Sequence, residues 1–155
     1  MTIRTEQEAL YLACQMEAGA VQLYRRALML MERLGRKDEP LFARLARNKS
    51  DEEDHLRQFR ELYTGLDATL ERELELAAVA EGVLFEGGMM GASRQGLLDS
   101  VESMMTLAMN AERVSAGKYR EFAAVSASEG AINALLMIAG QEDKHLRELE
   151  EQAKA

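Results

Sequence analysis

Apolar side chains recur every three or four residues along most of the chain, the spacing that lines them up on one face of an α-helix. In the first segment Leu10, Cys14, Val21, Tyr24, Leu28 and Met31 form such a stripe, and Glu17 falls inside it. Thr5 and Glu8 make a Thr-x-x-Glu capping box that starts this helix, and Gly35, after Arg33 and Leu34, stops it. Asp38, Glu39 and Pro40 open a second helix. Proline lacks the amide that a first turn leaves unused, and acids suit the positive end of the helix dipole. This helix is expected over 40–63, with Phe42, Leu45, Leu56, Phe59 and Leu62 on its apolar face and Gly65 past its end.

The stretch 66–95 reads differently. LDATLERELELAAVAEGVLF has helical character, but Gly82, Gly87, Gly88 and Gly91 are expected to break it into a shorter helix and an irregular or tightly turned segment. A third long helix is expected to begin within 95–99 and run to about Ala124, carrying Val101, Met105, Met109, Ala116, Tyr119 and Phe122. Ser126 or Ser128 caps the last helix, with Ser126-x-x-Glu129 as a second capping box and Leu135, Ile138, Leu146 and Leu149 facing the core. The pattern is all-α. Two long helix pairs flank one long crossover, as in ferritin-like four-helix bundles and unlike a simple up-and-down array.

The two pairs carry the same chemistry. Glu17 precedes Glu52-Glu53-Asp54-His55, and Glu112 precedes Glu142-Asp143-Lys144-His145. MEAGAVQLYRRAL lies against NAERVSAGKYREFA, with Tyr24 opposite Tyr119, and EEDHLRQF lies against EDKHLREL. Residues three apart share a helical face, so Glu52 with His55, and Glu142 with His145, can converge on a metal ion. Glu17 and Glu112, from the other helices, can bridge two ions or terminate their coordination. Four carboxylates and two imidazoles suit iron, manganese or zinc. Asp51 also shares a face with His55, but Gln141 stands at its counterpart, so Glu52 is the preferred ligand; Glu53, Asp54, Asp143 and Lys144 are assigned to the solvated side. Tyr24 and Tyr119 lie two turns beyond their glutamates, where each is either core or a hydroxyl that orients a ligand on another helix. Met104, Met105, Met109 and Met137 read as core filler, and Cys14 as a small buried hydrophobe.

Composition narrows the class. At 155 residues the chain fits one domain, 1–155, able to bury a core without staples. A formal charge of −8 disfavours a nucleic-acid backbone as partner. The single cysteine excludes an internal disulfide or a four-thiolate centre within the chain. No apolar run is long enough for a membrane span, and the N-terminus lacks a secretory signal, which makes the cytoplasm the expected compartment. Long apolar stripes and the glycine-rich 82–91 segment lead us to expect a homo-oligomer, a dimer.

The order Glu17, Glu52-x-x-His55, Glu112, Glu142-x-x-His145 resembles the ferritin-like superfamily and, within it, the rubrerythrin group, over nearly the full chain. That resemblance implies two iron ions, with manganese or zinc as alternatives, held by Glu17, Glu52, His55, Glu112, Glu142 and His145, with Glu17 and Glu112 as the catalytic lone-helix carboxylates. It implies an oxidoreductase that reduces hydrogen peroxide with electrons from an external donor such as a rubredoxin-like protein. The alternatives are a ferroxidase using dioxygen or peroxide, and a non-catalytic metal-binding structural protein. Two features depart from the group: there is no Cys-x-x-Cys rubredoxin module, and Met109 stands where an additional glutamate is expected.

Overall fold

The computed structural model describes residues 2–85 and 87–154; Met1, Ala155 and Glu86, which falls in the expected irregular stretch, lie outside the described residues. Among these the protein is all-α, without strands. Its six helices are α1 (Glu6–Arg33), α2 (Pro40–Leu62), α3 (Ala68–Ala80), α4 (Gly88–Arg94), α5 (Val101–Val125) and α6 (Glu129–Lys154). None among the described residues is long and apolar enough to cross a membrane.

The local signals explain most boundaries. Thr5 Oγ1 accepts from the Glu8 amide at 3.2 Å while Glu8 Oε1 accepts from the Thr5 amide at 3.0 Å, closing the expected capping box. Gly35 takes φ +69° after α1, a left-handed turn that side chains resist, and the Arg36 amide bonds back to the Met31 carbonyl at 2.9 Å. Pro40 sits in the first turn of α2.

Three boundaries differ from expectation. α5 starts at Val101, beyond 95–99, because Ser100 and Ser103 form a reciprocal cap there, while Gly96 at φ +76° turns the chain out of α4. The Ser126-x-x-Glu129 box does not form: Ser126 Oγ donates to the Phe122 carbonyl at 2.8 Å, and Ser128 Oγ accepts from the Ala131 amide at 3.3 Å instead. The glycine-rich stretch, expected to be irregular, contains α4. Its Ala92 is fully buried in the cluster that includes Leu23 and Met31, so packing on α1 overrides the poor helix propensity of glycine.

Hydrogen bonds between helices fix their directions. Gln7 Nε2 donates to the Leu62 carbonyl and Gln7 Oε1 accepts from the Thr64 amide, which sets the start of α1 beside the end of α2. Glu6 Oε1 accepts from the amides of Ala127 and Ser128, adding the α5–α6 turn to the same end. Thus α1 and α6 start where α2 and α5 finish. The 63–100 connection leaves this end and re-enters at the other, and both α3 and α4 pack against α1 along the way. Contacts of α1 with α2 and α5, and of α6 with α2 and α5, complete the packing of a helical bundle.

The interior is layered. One apolar cluster contains Leu10, Cys14, Phe59, Phe122 and Ile138, and another contains Ala27, Leu45, Met104, Met105 and Leu149. Met137, expected in the core, is 54% exposed. Between the apolar clusters lies a layer of buried acids and histidines.

Candidate metal centre

The inward stripe of each long helix carries polar residues where an apolar one would ordinarily sit. On α2 the buried run is Leu45, Asn48, Glu52, His55 and Phe59, and on α6 it is Leu135, Ile138, Glu142, His145 and Leu149. α1 adds Glu17 and Tyr24, and α5 adds Glu112 and Tyr119. The residues Glu17, Glu52, His55, Glu112, Glu142 and His145 are all at most 3% exposed.

These six residues form two overlapping groups. Glu17, Glu52, His55 and Glu142 make one; Glu52, Glu112, Glu142 and His145 make the other; in each, one potential ligand atom per residue lies within 4.8 Å of the rest. Glu52 and Glu142 are common to both. Glu17 and Glu112 each belong to one group only, and the two carboxylates common to both groups come from the Glu-x-x-His helices. His55 Nδ1 lies 3.0 Å from Glu142 and 3.7 Å from Glu17, while His145 Nδ1 lies 2.9 Å from Glu52 and 3.4 Å from Glu112. The imidazole centroids stand 6.1 Å apart with planes inclined at 23°.

Outer partners orient these side chains. Tyr24 Oη donates to Glu112 Oε1 at 2.5 Å, and Tyr119 Oη donates to Glu17 Oε1 at 2.8 Å. Both tyrosines therefore hold the carboxylate of the opposite helix, one of the two roles the spacing allowed. The crossed pairs, 17 with 119 and 24 with 112, require α1 and α5 to run antiparallel. On the other side His145 Nε2 bonds to Asp51 Oδ2 at 2.9 Å, and His55 Nε2 bonds to Gln141 Oε1. With the Nε2–H donated outward, each ring turns its Nδ1 lone pair to the interior, the tautomer a metal ligand needs. Asp51, set aside in favour of Glu52, is thus no inward ligand but the partner of a histidine on the facing helix.

Asn48 was missed in the sequence. It is fully buried and its Nδ2 donates to Tyr24 Oη at 3.3 Å. The available signal was its register: a lone amide at an inward position one turn before Glu52.

Electrostatics explain what the arrangement demands. Burial first, and then the neighbouring Glu142, Glu17 and Glu112, push the Glu52 carboxyl well above the ordinary glutamate range. Burial and the charges of Glu17 and Glu112 do the same to Glu142. Burial alone would pull both histidines down, but the facing Glu17 for His55 and Glu112 for His145 reverse the net direction, which is upward. Glu17 Oε2, both oxygens of Glu52, Glu112 Oε2, Glu142 Oε1 and the Nδ1 atoms of both histidines have no hydrogen-bond partner among the described residues. Buried polar atoms without partners cost free energy, and clustered anionic ones cost more. Divalent cations remove both costs, so the donor set fits metal ions. Mixed carboxylate and imidazole donors are compatible with iron, manganese or zinc.

Cys14 does not join the set. Burial pushes its thiol up to about 11, the Arg60 charge lowering it only in part, which keeps it protonated and unreactive. An apolar cavity of about 470 Å³, lined by Met16, Leu23, Val79, Val83 and Val114 among others, lies apart from the six acids and histidines, none of which lines it. Compared with family models, with curated proteins and with solved structures, the chain matches none.

Proposed function

We propose that the chain is a ferritin-like, rubrerythrin-related dinuclear iron protein that reduces hydrogen peroxide with electrons from an external donor. The observation that carries the reading is the pair of buried groups sharing Glu52 and Glu142: these residues would hold two ions close together, and two ferrous ions would supply one electron each to the two-electron reduction of a peroxide bond. The antiparallel helix pairs and the long 63–100 crossover support the ferritin-like topology.

Two ferrous ions bound there would supply the electrons that O–O cleavage consumes. The chain's own residues do the rest. Glu17 and Glu112 close the outer sides of the two positions, His55 and His145 present Nδ1, and Tyr24 and Tyr119 hold the terminal carboxylates while keeping hydroxyl protons at the edge of the site. Apolar clusters above and below exclude water. The single cysteine of this sequence cannot build a four-thiolate iron centre, so the electrons are assigned to an external donor, for which a rubredoxin-like protein fits.

The test is anaerobic loading with two equivalents of Fe²⁺ followed by rapid mixing with peroxide. Fast two-electron oxidation with the iron retained supports the proposal. Sustained consumption of excess Fe²⁺ with mineral formation would instead assign a ferroxidase, and tight zinc binding that iron cannot replace would assign a structural metal protein.

A further inference from the structure

We infer that the two metal positions are chemically unequal, and that the one formed by Glu112 and His145 fills first because Asp51 and Asn48 act on it as positioning residues. The inference rests on the dinuclear reading above and adds an order of occupation to it.

The two halves repeat in sequence, and their departures from symmetry fall on one side. An offset of 90 residues carries Glu52 onto Glu142 and His55 onto His145; it carries Asp51 onto Gln141 and Asn48 onto Ile138. Because α2 and α6 run antiparallel, each outer partner serves the histidine of the other helix. His145 thereby receives a carboxylate, at 2.9 Å from Asp51, and His55 receives the neutral amide oxygen of Gln141. A hydrogen bond to an ionised acceptor is roughly twice as strong as a neutral one. It also leaves the imidazole more basic toward a metal on its other nitrogen. The Asp51 side chain is 55% exposed, so solvent screens its field at a distance; the difference is carried by the direct bond.

Asn48 acts on the same position from the opposite side. Its Nδ2 donates to Tyr24 Oη, and that hydroxyl donates in turn to Glu112 Oε1. A hydroxyl that accepts one hydrogen bond donates the next more strongly. Glu112 is therefore held by a two-link chain, with Oε2 left unpartnered. Across the pseudo-symmetry, Tyr119 donates to Glu17, and the position matching Asn48 is the apolar Ile138. One ion position has both reinforcements and the other has neither.

Titration of the metal-free protein with Co²⁺, followed by calorimetry and by the visible absorption of the bound ion, tests this directly. Because Glu52 and Glu142 are shared, two steps alone do not establish inequality; the variants do. Glu17→Ala is expected to leave the first-step affinity within about twofold, while Glu112→Ala weakens it by about 10-fold or more. Asp51→Asn weakens the first step by about 10–100-fold and alters the spectrum of the first ion bound, and Gln141→Glu tightens the second step. That last effect is a gain, which a misfolded variant cannot produce. Equal weakening of the first step by Glu17→Ala and Glu112→Ala, or an unchanged first step in Asp51→Asn, would overturn the inference while leaving the dinuclear site standing. Wild-type protein that binds no Co²⁺ would overturn the dinuclear reading itself.

Discussion

Replacing Glu52 by glutamine should change stability in opposite directions with and without metal. Glu52 is fully buried and neither of its carboxyl oxygens has a hydrogen-bond partner among the described residues. In the metal-free chain it faces other acids, and the introduced side-chain amide supplies donors that Glu17 Oε2 and Glu142 Oε1 lack. A buried unsatisfied group costs about 1–3 kcal/mol, so relieving it stabilises the metal-free protein by a similar amount. For a chain of 155 residues, each kcal/mol shifts Tm by about 2–4 °C, which gives a rise of roughly 2–12 °C. With metal the sign reverses, because Glu52 belongs to both ligand groups. Losing a mere outer partner weakens metal binding by about 10–100-fold, so about a hundredfold loss per ion is a modest figure for a lost ligand. At free metal near 100 times the wild-type Kd, the stabilisation per ion then falls from about 2.7 to about 0.4 kcal/mol. Over two ions the metal-induced rise in Tm shrinks by on the order of 10 °C. Scanning calorimetry of both proteins, metal-free and loaded with Co²⁺ or Mn²⁺, reads both effects. A lower Tm for metal-free Glu52→Gln, or an undiminished response to metal, would refute the reasoning.

Other consequences are equally open to measurement. Glu52, Glu142, His55 and His145 all stand above their ordinary values in the folded metal-free chain. Their stabilising contribution is therefore fully present below the unfolded values, 4.5 for the glutamates and 6.5 for the histidines, and is lost as pH rises through the folded ones. Metal-free protein should lose thermal stability from this source as pH rises above those unfolded values, and metal-loaded protein should lose less. Metal binding should release protons, measured as a dependence of calorimetric heat on the ionisation enthalpy of the buffer. Tyr119→Phe removes the donor to Glu17 Oε1; it should destabilise the metal-free chain by about 1–3 kcal/mol and weaken metal binding about tenfold, read by melting and by titration. Thr5→Ala should cost about 1 kcal/mol through the lost cap, lowering Tm by about 2–4 °C with metal affinity unchanged.

Much of the centre was legible because its residues repeat at helical spacing. Glu52 with His55, and Glu142 with His145, declare a shared face whatever the tertiary structure, and Glu17 and Glu112 stand within apolar stripes. The membership of Glu52 and Glu142 in both groups was not legible. Spacing says which residues lie on one face, and bridging depends on which helices face each other and how far along. The same gap hid the outer partners: Asp51 bonds a histidine 94 positions away, and only the antiparallel register of α2 and α6 brings them together. Asn48 has no repeat counterpart to announce it. Among the helices, α4 escaped because its glycines argue against a helix locally and the contact that stabilises it, Ala92 against the α1 cluster, is not local. The start of α5 was displaced for a simpler reason: a Ser-x-x-Ser reciprocal cap is a weaker sequence signal than Ser-x-x-Glu.

The crossed tyrosine–glutamate pairs have a consequence for how the molecule is held together. Each helical hairpin, α1 with α2 or α5 with α6, contains a tyrosine that serves a carboxylate of the other hairpin and a histidine whose outer partner lies across the divide. Neither hairpin holds a finished ligand group, since each group draws at least one residue from both. Bound ions would therefore rivet two half-chains, and a protein cut within the 63–100 connection could remain assembled through its centre, coming apart when a chelator withdraws the metal.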